Sequence, residues 1–437
     1  MARLRAIWDS INASYWFLPG LFALLALALA LFTVWLDRTG QTGWLSTAVQ
    51  VEVARPEGAR SILTVIAGAM IGVASTVFSI TIAAVAYASG SYGPRLLTNF
   101  MEDKGNQLSL ATFIGTFVYS VVILRTIRDP EESSIAGGAG DMLPGFVPQL
   151  SLLVAYGLTA VSVMVLVYFL NHVPASIRVN TVLESIGTRL IRDIREAFVD
   201  KDGAPASSGQ PRGSPVATDT VGYIQVIDHG RLDRIAKRHD ARIALAVRTG
   251  DFVHPPAPLV LWDSPDQPPA KDIRRCFALG GMRTPAQDLH FLIDELVEIG
   301  LRALSPGIND PFTAITALHW LGAATAELGQ RDLTRGVGNA VPSDAQRVAV
   351  LDDAFAHYVE RGFGTIRPFV ATIPSTVLVM FEVLATAAAT LDDVERQEVL
   401  AREGDLLMRQ TRLELDGPSL EAAEARYRAF RQRMSNG

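Results

Sequence analysis

One cysteine, Cys276, is all the thiol chemistry that 437 residues offer. A lone thiol excludes an intramolecular disulfide and is too few for a zinc site built on cysteine. Lysine is nearly as scarce, with four among the 39 basic residues; that skew reflects coding composition and carries no functional weight. The net charge is −6 and no segment is strongly basic, so the sequence offers no surface for a nucleic-acid backbone. The phosphate-cradling G-x-x-x-x-G-K-[ST], the dinucleotide G-x-G-x-x-G, H-E-x-x-H and G-x-S-x-G are all missing. Their absence lowers the prior for an enzyme without excluding one, and no cofactor or metal is expected.

Charge is scarce in one half only. Residues 1–172 hold 19 charged side chains, about one in nine, and residues 173–437 hold 65, about one in four. The second figure is the ordinary share for a soluble domain. With 49% hydrophobic residues and a mean hydropathy of +0.24, the sequence reads as a membrane half followed by a water-soluble half.

Four apolar runs are long enough to cross a bilayer core: residues 16–36, 62–88, 108–124 and 150–170. The first run is too long for a cleaved signal peptide and begins with interfacial aromatics, so it is read as a retained span. No Asp, Glu, Lys, Arg or His lies inside any of them, which argues against a proton-relay pump or a carrier built on a buried ion pair. Arg3, Arg5, Arg95, Lys104 and the arginines after span four bias one side. With the even span count and the unpaired thiol, this puts both termini in the cytoplasm and the protein in a bacterial inner membrane.

Span two is chemically unusual. Gly68, Gly72, Ser75, Thr76, Ser79, Ala83 and Ala86 recur at three- and four-residue intervals and form one small, partly polar stripe. Such a stripe serves close helix packing or a water-contacting pore wall; packing is the commoner use, and the two can coexist. After it, Ser89-Gly90-Ser91-Tyr92-Gly93-Pro94-Arg95 closes the helix, and Tyr92, Pro94 and Arg95 are candidates for a gate or interfacial loop. His172-Val173-Pro174 is read as a helix break, followed by a basic amphipathic helix over 176–198 that would lie on anionic lipid or couple the two halves. Residues 199–219 form a flexible Pro/Gly/Ser-rich linker.

The polar half starts with a small α+β unit over 220–270, with strands near 223–227, 241–247 and 259–262 around a helix. His239-Asp240 reads as solvated surface. Residues 271–437 read as a helical domain. Thr284-Pro285 marks a helix start, and Ser305-Pro306-Gly307-Ile308-Asn309-Asp310-Pro311 ends one helix and caps the next. Asp288, Glu295 and Arg302 lie seven apart beside the apolar face. With Ser305, Asn309 and Asp310 they are a candidate ligand or coupling corner for a small molecule or ion, although solvated or interhelix ion pairs are the commoner use of such spacing. His290 and Asp294 are an i, i+4 pair without a third metal ligand in sequence. Residues 344–359 and 374–391 read as helices, followed by charged helices over 392–413 and 419–434.

The strings SGSYGPRLLTNFMEDKGNQ (89–107) and RALSPGINDPFTA (302–314) resemble signature segments of a widespread bacterial family of predicted membrane proteins known only as a domain of unknown function. The resemblance covers nearly the whole chain; it implies an integral inner-membrane protein and assigns no activity. The expected fold is an α-helical membrane domain of four spans within 1–175, followed by a cytosolic α+β unit and a helical bundle. The leading functional expectation is a homo-oligomeric ion channel with span two at its axis and a cytosolic vestibule or sensor. A membrane-anchored sensor or scaffold binding a cytosolic partner or small ligand comes second, and a membrane-associated enzyme third.

Overall fold

The structure, a computed structural model, describes residues 15–39, 55–93, 103–128, 145–200, 213–334 and 347–435. It divides into two compact units, one formed by residues 10–90 and 94–178, the other chiefly by residues 179–437.

The first unit contains four apolar helices of bilayer-spanning length: α1 (Phe17–Arg38), α2 (Pro56–Tyr92), α3 (Lys104–Leu124) and α4 (Gln149–Ser176). At 1.5 Å per residue, the 37 residues of α2 run to about 55 Å, well beyond a core of about 30 Å. The helices outrun the apolar segments at their ends, α2 running on through Ser89-Gly90-Ser91-Tyr92 and α4 through residues 171–176. Pro174 lies inside α4, which continues to Ser176. The expected break therefore falls later, since a proline in a final turn forfeits one backbone hydrogen bond.

The central helix is α3. Tyr119, fully buried, shares a hydrogen bond with Thr33 (2.9 Å) and donates to the Ser151 carbonyl (3.1 Å); Thr116 and Ser162 form a second buried hydroxyl pair at 2.9 Å. Asp37 at the end of α1 accepts from the Leu150 and Ser151 amides, both at 3.0 Å, and from Ser151 Oγ at 2.7 Å. A carboxylate from one helix thus caps the first turn of another, meeting amides that hydrocarbon could not satisfy. Asp103 caps α3 through the Gly105 amide (2.8 Å) and also meets His172 Nε2 at 2.8 Å.

The second unit opens with α5 (Val179–Ala197). The sequence suggests a helix that lies on anionic lipid or couples the two halves; its apolar face, Val182, Leu183, Ile186, Leu190 and Ile194, is buried within the unit rather than left open to lipid. It packs on α8 (Leu289–Ala303) and α9 (Pro311–Gly329). A Cβ on Gly187 would collide with the Trp320 indole, so glycine permits the close crossing. Arg195 donates to Glu327 at 2.8 Å, and Arg331 donates to the same carboxylate.

That carboxyl sits below the usual range, mainly because Arg195 hydrogen-bonds it and then because Arg331 does. A folded-state value below the unfolded one means that the unfolded chain binds more protons through the carboxylate range. This stability is therefore present at neutral pH and lost as pH falls through the folded value. Thermal melting of the full chain in detergent should fall on acidification below about pH 5, and Glu327→Gln should make that fall shallower. Identical pH slopes would remove Glu327 from the account.

Two small sheets follow. One is four-stranded in the order β1–β5–β3–β7, from β1 (Ser214–Ala217), β3 (Arg242–Leu245), β5 (Pro258–Asp263) and β7 (Val348–Ala349). The other is antiparallel with β2 (Gly222–Ile227) between β4 (Phe252–Val253) and β6 (Phe277–Gly280). Helices α6 (His229–Arg238) and α7 (Ala270–Arg274) complete the region. Its core holds Trp262, Phe277, Leu232 and Ile243 together with Cys276; burial pushes that thiol up to about 11, so it stays protonated and unreactive.

Two expectations are corrected here. The 199–219 linker ends earlier, because β1 pairs with β5. Residues 348–349 are a strand parallel to β3, not part of a helix that starts at 344. Short helices α10 (Phe355–Val359) and α11 (Thr365–Val370), joined by a π-helical turn at Glu360–Gly364, lead to α12 (Pro374–Ala388), α13 (Val394–Glu414) and α14 (Gly417–Ser435). Helix α12, the shorter apolar helix, is a buried bundle helix as expected.

Candidate functional site

The span-two stripe lies on the outside of its unit. Successive helical residues turn by about 100°, which puts Gly68, Gly72, Ser75, Thr76, Ser79 and Ala83 on an arc opposite Leu63, Met70, Ala74, Val77 and Thr81. The first set is exposed and the second buried. A Cβ on Gly68 or Gly72 would meet no atom within 4 Å. Ser75, Thr76 and Ser79 each donate to the carbonyl four residues back at 2.9–3.0 Å. Exposed Ile71, Phe78 and Ile82 rise on one flank and Ile80 and Tyr87 on the other, so the stripe is the floor of a shallow groove. Among the described residues, nothing packs against it. Of the candidate gate loop, Pro94 and Arg95 lie outside the described residues, and only the helical backbone of Tyr92 is described.

The candidate corner in the second unit does not converge on one point. Asp288 is the N-cap of α8, accepting from the Phe291 amide at 3.1 Å. Ser305, Asn309 and Asp310 lie past the other end of that 15-residue helix, about 22 Å away. Glu295 is buried and Arg302 half-buried between them. At the far end the connection is built as expected. Asn309 takes a φ of +50°, Ser305 Oγ donates to the Arg302 carbonyl, and Asp310 caps α9 by accepting from the Thr313 amide (3.2 Å) and hydroxyl (2.6 Å). Asp310→Ala should lower stability by about 0.5–2 kcal/mol, read by chemical denaturation; a larger loss would mean a role beyond capping.

At the start of α8 the charges are locked together. Arg283 reaches Asp288 (2.7 Å) and Asp294 (2.7 Å), and Arg361 from the π-helical turn takes Asp294 with two further 2.7 Å bonds. Gly250, at φ +91°, lies so close that a Cβ would run into the Asp288 carboxylate. Of the i, i+4 pair His290 and Asp294, for which the sequence places no third metal ligand, Asp294 is held by two guanidinium groups. His290 instead turns toward Asp353 and His357, residues that the sequence reading passed over. Their own i, i+4 spacing was the available signal. Beside this region a cleft of about 440 Å³ is lined by Arg189, Arg192 and Glu196 of α5, by His229 and Arg248, and by Asp288.

Four spanning-length apolar helices followed by a helix-and-strand region and further helices define a polytopic membrane protein. The chain belongs to the family described as "Predicted membrane protein (DUF2254)", whose model matches residues 12–386. Among curated relatives, Uncharacterized protein Rv1290c of Mycobacterium tuberculosis is 28% identical over 436 residues, covering 94% of this chain and 79% of the relative. Uncharacterized protein Mb1321c of Mycobacterium bovis matches with the same identity and coverage. No solved structure matches the chain.

Proposed function

We propose that the chain is one subunit of a homo-oligomeric ion channel in the bacterial inner membrane, with both termini cytoplasmic, α2 facing the axis and the second unit acting as a cytosolic vestibule or sensor. The observation that carries this reading is the outward-facing, uncharged groove of small and hydroxyl residues on α2, opposite the face that packs within the chain. A surface meant only for lipid gains nothing from glycine and serine. A symmetric assembly would turn the groove toward neighbouring copies or toward water. The test is thiol accessibility in the full chain in liposomes. Cysteine at Ser75 or Ser79 should react with small water-soluble reagents, and cysteine at buried Val77 should not; the native thiol, fully buried, contributes no background. A ring-shaped assembly and conductance in planar bilayers should accompany the labelling. A monomer without conductance or stripe-specific labelling overturns the channel. The second reading, a membrane-anchored sensor or scaffold, draws on the mixed-charge cleft beside α5 and would then replace it.

A further inference from the structure

His290, Asp353 and His357 come from two distant parts of the sequence and converge within the second unit. Their ligand atoms all lie within 4.8 Å of one another. His290 Nε2 is 3.4 Å from Asp353 Oδ2, and His357 Nε2 is 4.0 Å from Asp353 Oδ1. Around an ion with bonds of about 2.1 Å, tetrahedral ligand atoms stand about 3.4 Å apart. The His290–Asp353 contact already has that length, and the His357–Asp353 contact, to the other carboxylate oxygen, is longer at 4.0 Å. His290 sits in the first turn of α8, held against Tyr358 (5.3 Å between ring centroids). Asp353 lies in the non-helical segment just before the N-cap of α10, and His357 lies within that helix.

We propose that these three side chains form a binding site for a divalent transition-metal ion, with zinc the leading candidate. The chemistry of the donor set selects the class. Two imidazoles and one carboxylate suit zinc, copper or nickel, whereas magnesium and calcium require a shell of oxygens. Arg248 strengthens that discrimination. It grips Asp353 through Nη2 (2.7 Å) and Nε (3.0 Å), fixing the carboxylate plane as an outer-shell partner does. Each carboxylate oxygen still has a second acceptor direction for the ion. The same guanidinium offsets the only anionic donor, so a cation that binds through charge alone gains little, and one that bonds imidazole nitrogen gains most. Two donors are buried, Asp353 and His290, while His357 is about half exposed at its side chain, which gives the ion a path in and leaves a fourth position for water. The site stands independently of the channel reading.

The experiment uses the full chain in detergent, stripped with chelator and titrated with Co2+, whose visible absorption reports low-coordinate nitrogen and oxygen ligation. One equivalent should develop the spectrum, Zn2+ should displace it, and Mg2+ or Ca2+ in excess should not. His357→Gln, at an exposed position, should weaken binding about tenfold or more with the thermal midpoint of the metal-free protein unchanged. His290→Gln should do the same, and Zn2+ should raise the melting temperature of the wild type alone. Absence of a saturable spectrum, or equal affinity in wild type and His357→Gln, overturns the site and leaves an Arg–Asp–His network without an ion.

Discussion

Arg283→Ala should lower the stability of the second unit by about 3 kcal/mol, the lower end of the loss of about 3–5 kcal/mol expected when one partner of a buried ion pair is removed. The lower end applies because the two carboxylates on Arg283 are not left equally bare. Asp294 keeps both Arg361 bonds, whereas among the described residues Asp288 is left with its capping amide and the more distant charge of Arg361, with a side chain 1% exposed. Burial already holds the Asp288 carboxyl above its usual range even with the guanidinium present, so a carboxylate deprived of it is an uncompensated buried charge. Loss of the guanidinium stacked over the Phe291 ring at 5.6 Å adds to the cost. Chemical denaturation of the full chain in detergent, followed by near-ultraviolet circular dichroism, reads the change. Arg192→Ala, at a side chain 60% exposed, should cost less than about 0.5 kcal/mol in the same assay. Adding Asp288→Asn to Arg283→Ala should recover part of the loss by removing the charge. Equal effects at Arg283 and Arg192 would reduce the network to a surface decoration.

On the proposed channel, Ser79→Trp should abolish conductance, and Ile80→Trp should leave it intact. The two positions are adjacent in sequence and about 100° apart around α2. Ser79 lies on the floor of the small-residue groove and Ile80 on its flank, 40% exposed. An indole on the floor would fill the space that an axis or a neighbouring copy needs, while one on the flank replaces one bulky apolar group with another. Single-channel recording in bilayers measures the first effect, and the mass of the assembly in detergent separates a plugged ring from a dissociated one. If both variants conduct like the wild type, α2 is not at the axis. If both fail alike, the effect belongs to bulk anywhere on the helix.

The membrane half was legible in the sequence because hydrocarbon imposes a simple rule: about 20 apolar residues, with the backbone satisfied within the helix. The cap at Asp310 was legible for a similar reason, since an N-cap is a local device, but the helix start read at Thr284-Pro285 falls instead at Asp288, whose carboxylate accepts from the Phe291 amide. The missed features depend on residues far apart in the chain. A strand of two residues at Val348–Ala349 exists because β3 offers it an edge; its own periodicity fits a helix equally well. The apolar face of α5 announces that it will be covered, but only the structure identifies α8 and α9 as the cover. Asp288, Glu295 and Arg302 share a helix with the residues that precede the loop, so spacing alone suggested a common site, and helix length separates them. His290 has one carboxylate at i+4, yet two arginines claim it, and its actual neighbours come from some sixty residues downstream.

The hydroxyls of α2 have a consequence for how such a protein is made. Ser75, Thr76 and Ser79 spend their protons on the backbone of their own helix, so none of them needs a second chain to be tolerated in lipid. A newly inserted copy can therefore reside in the bilayer alone, with its grooved face against acyl chains. Insertion then needs no helix from a second copy to make α2 compatible with hydrocarbon.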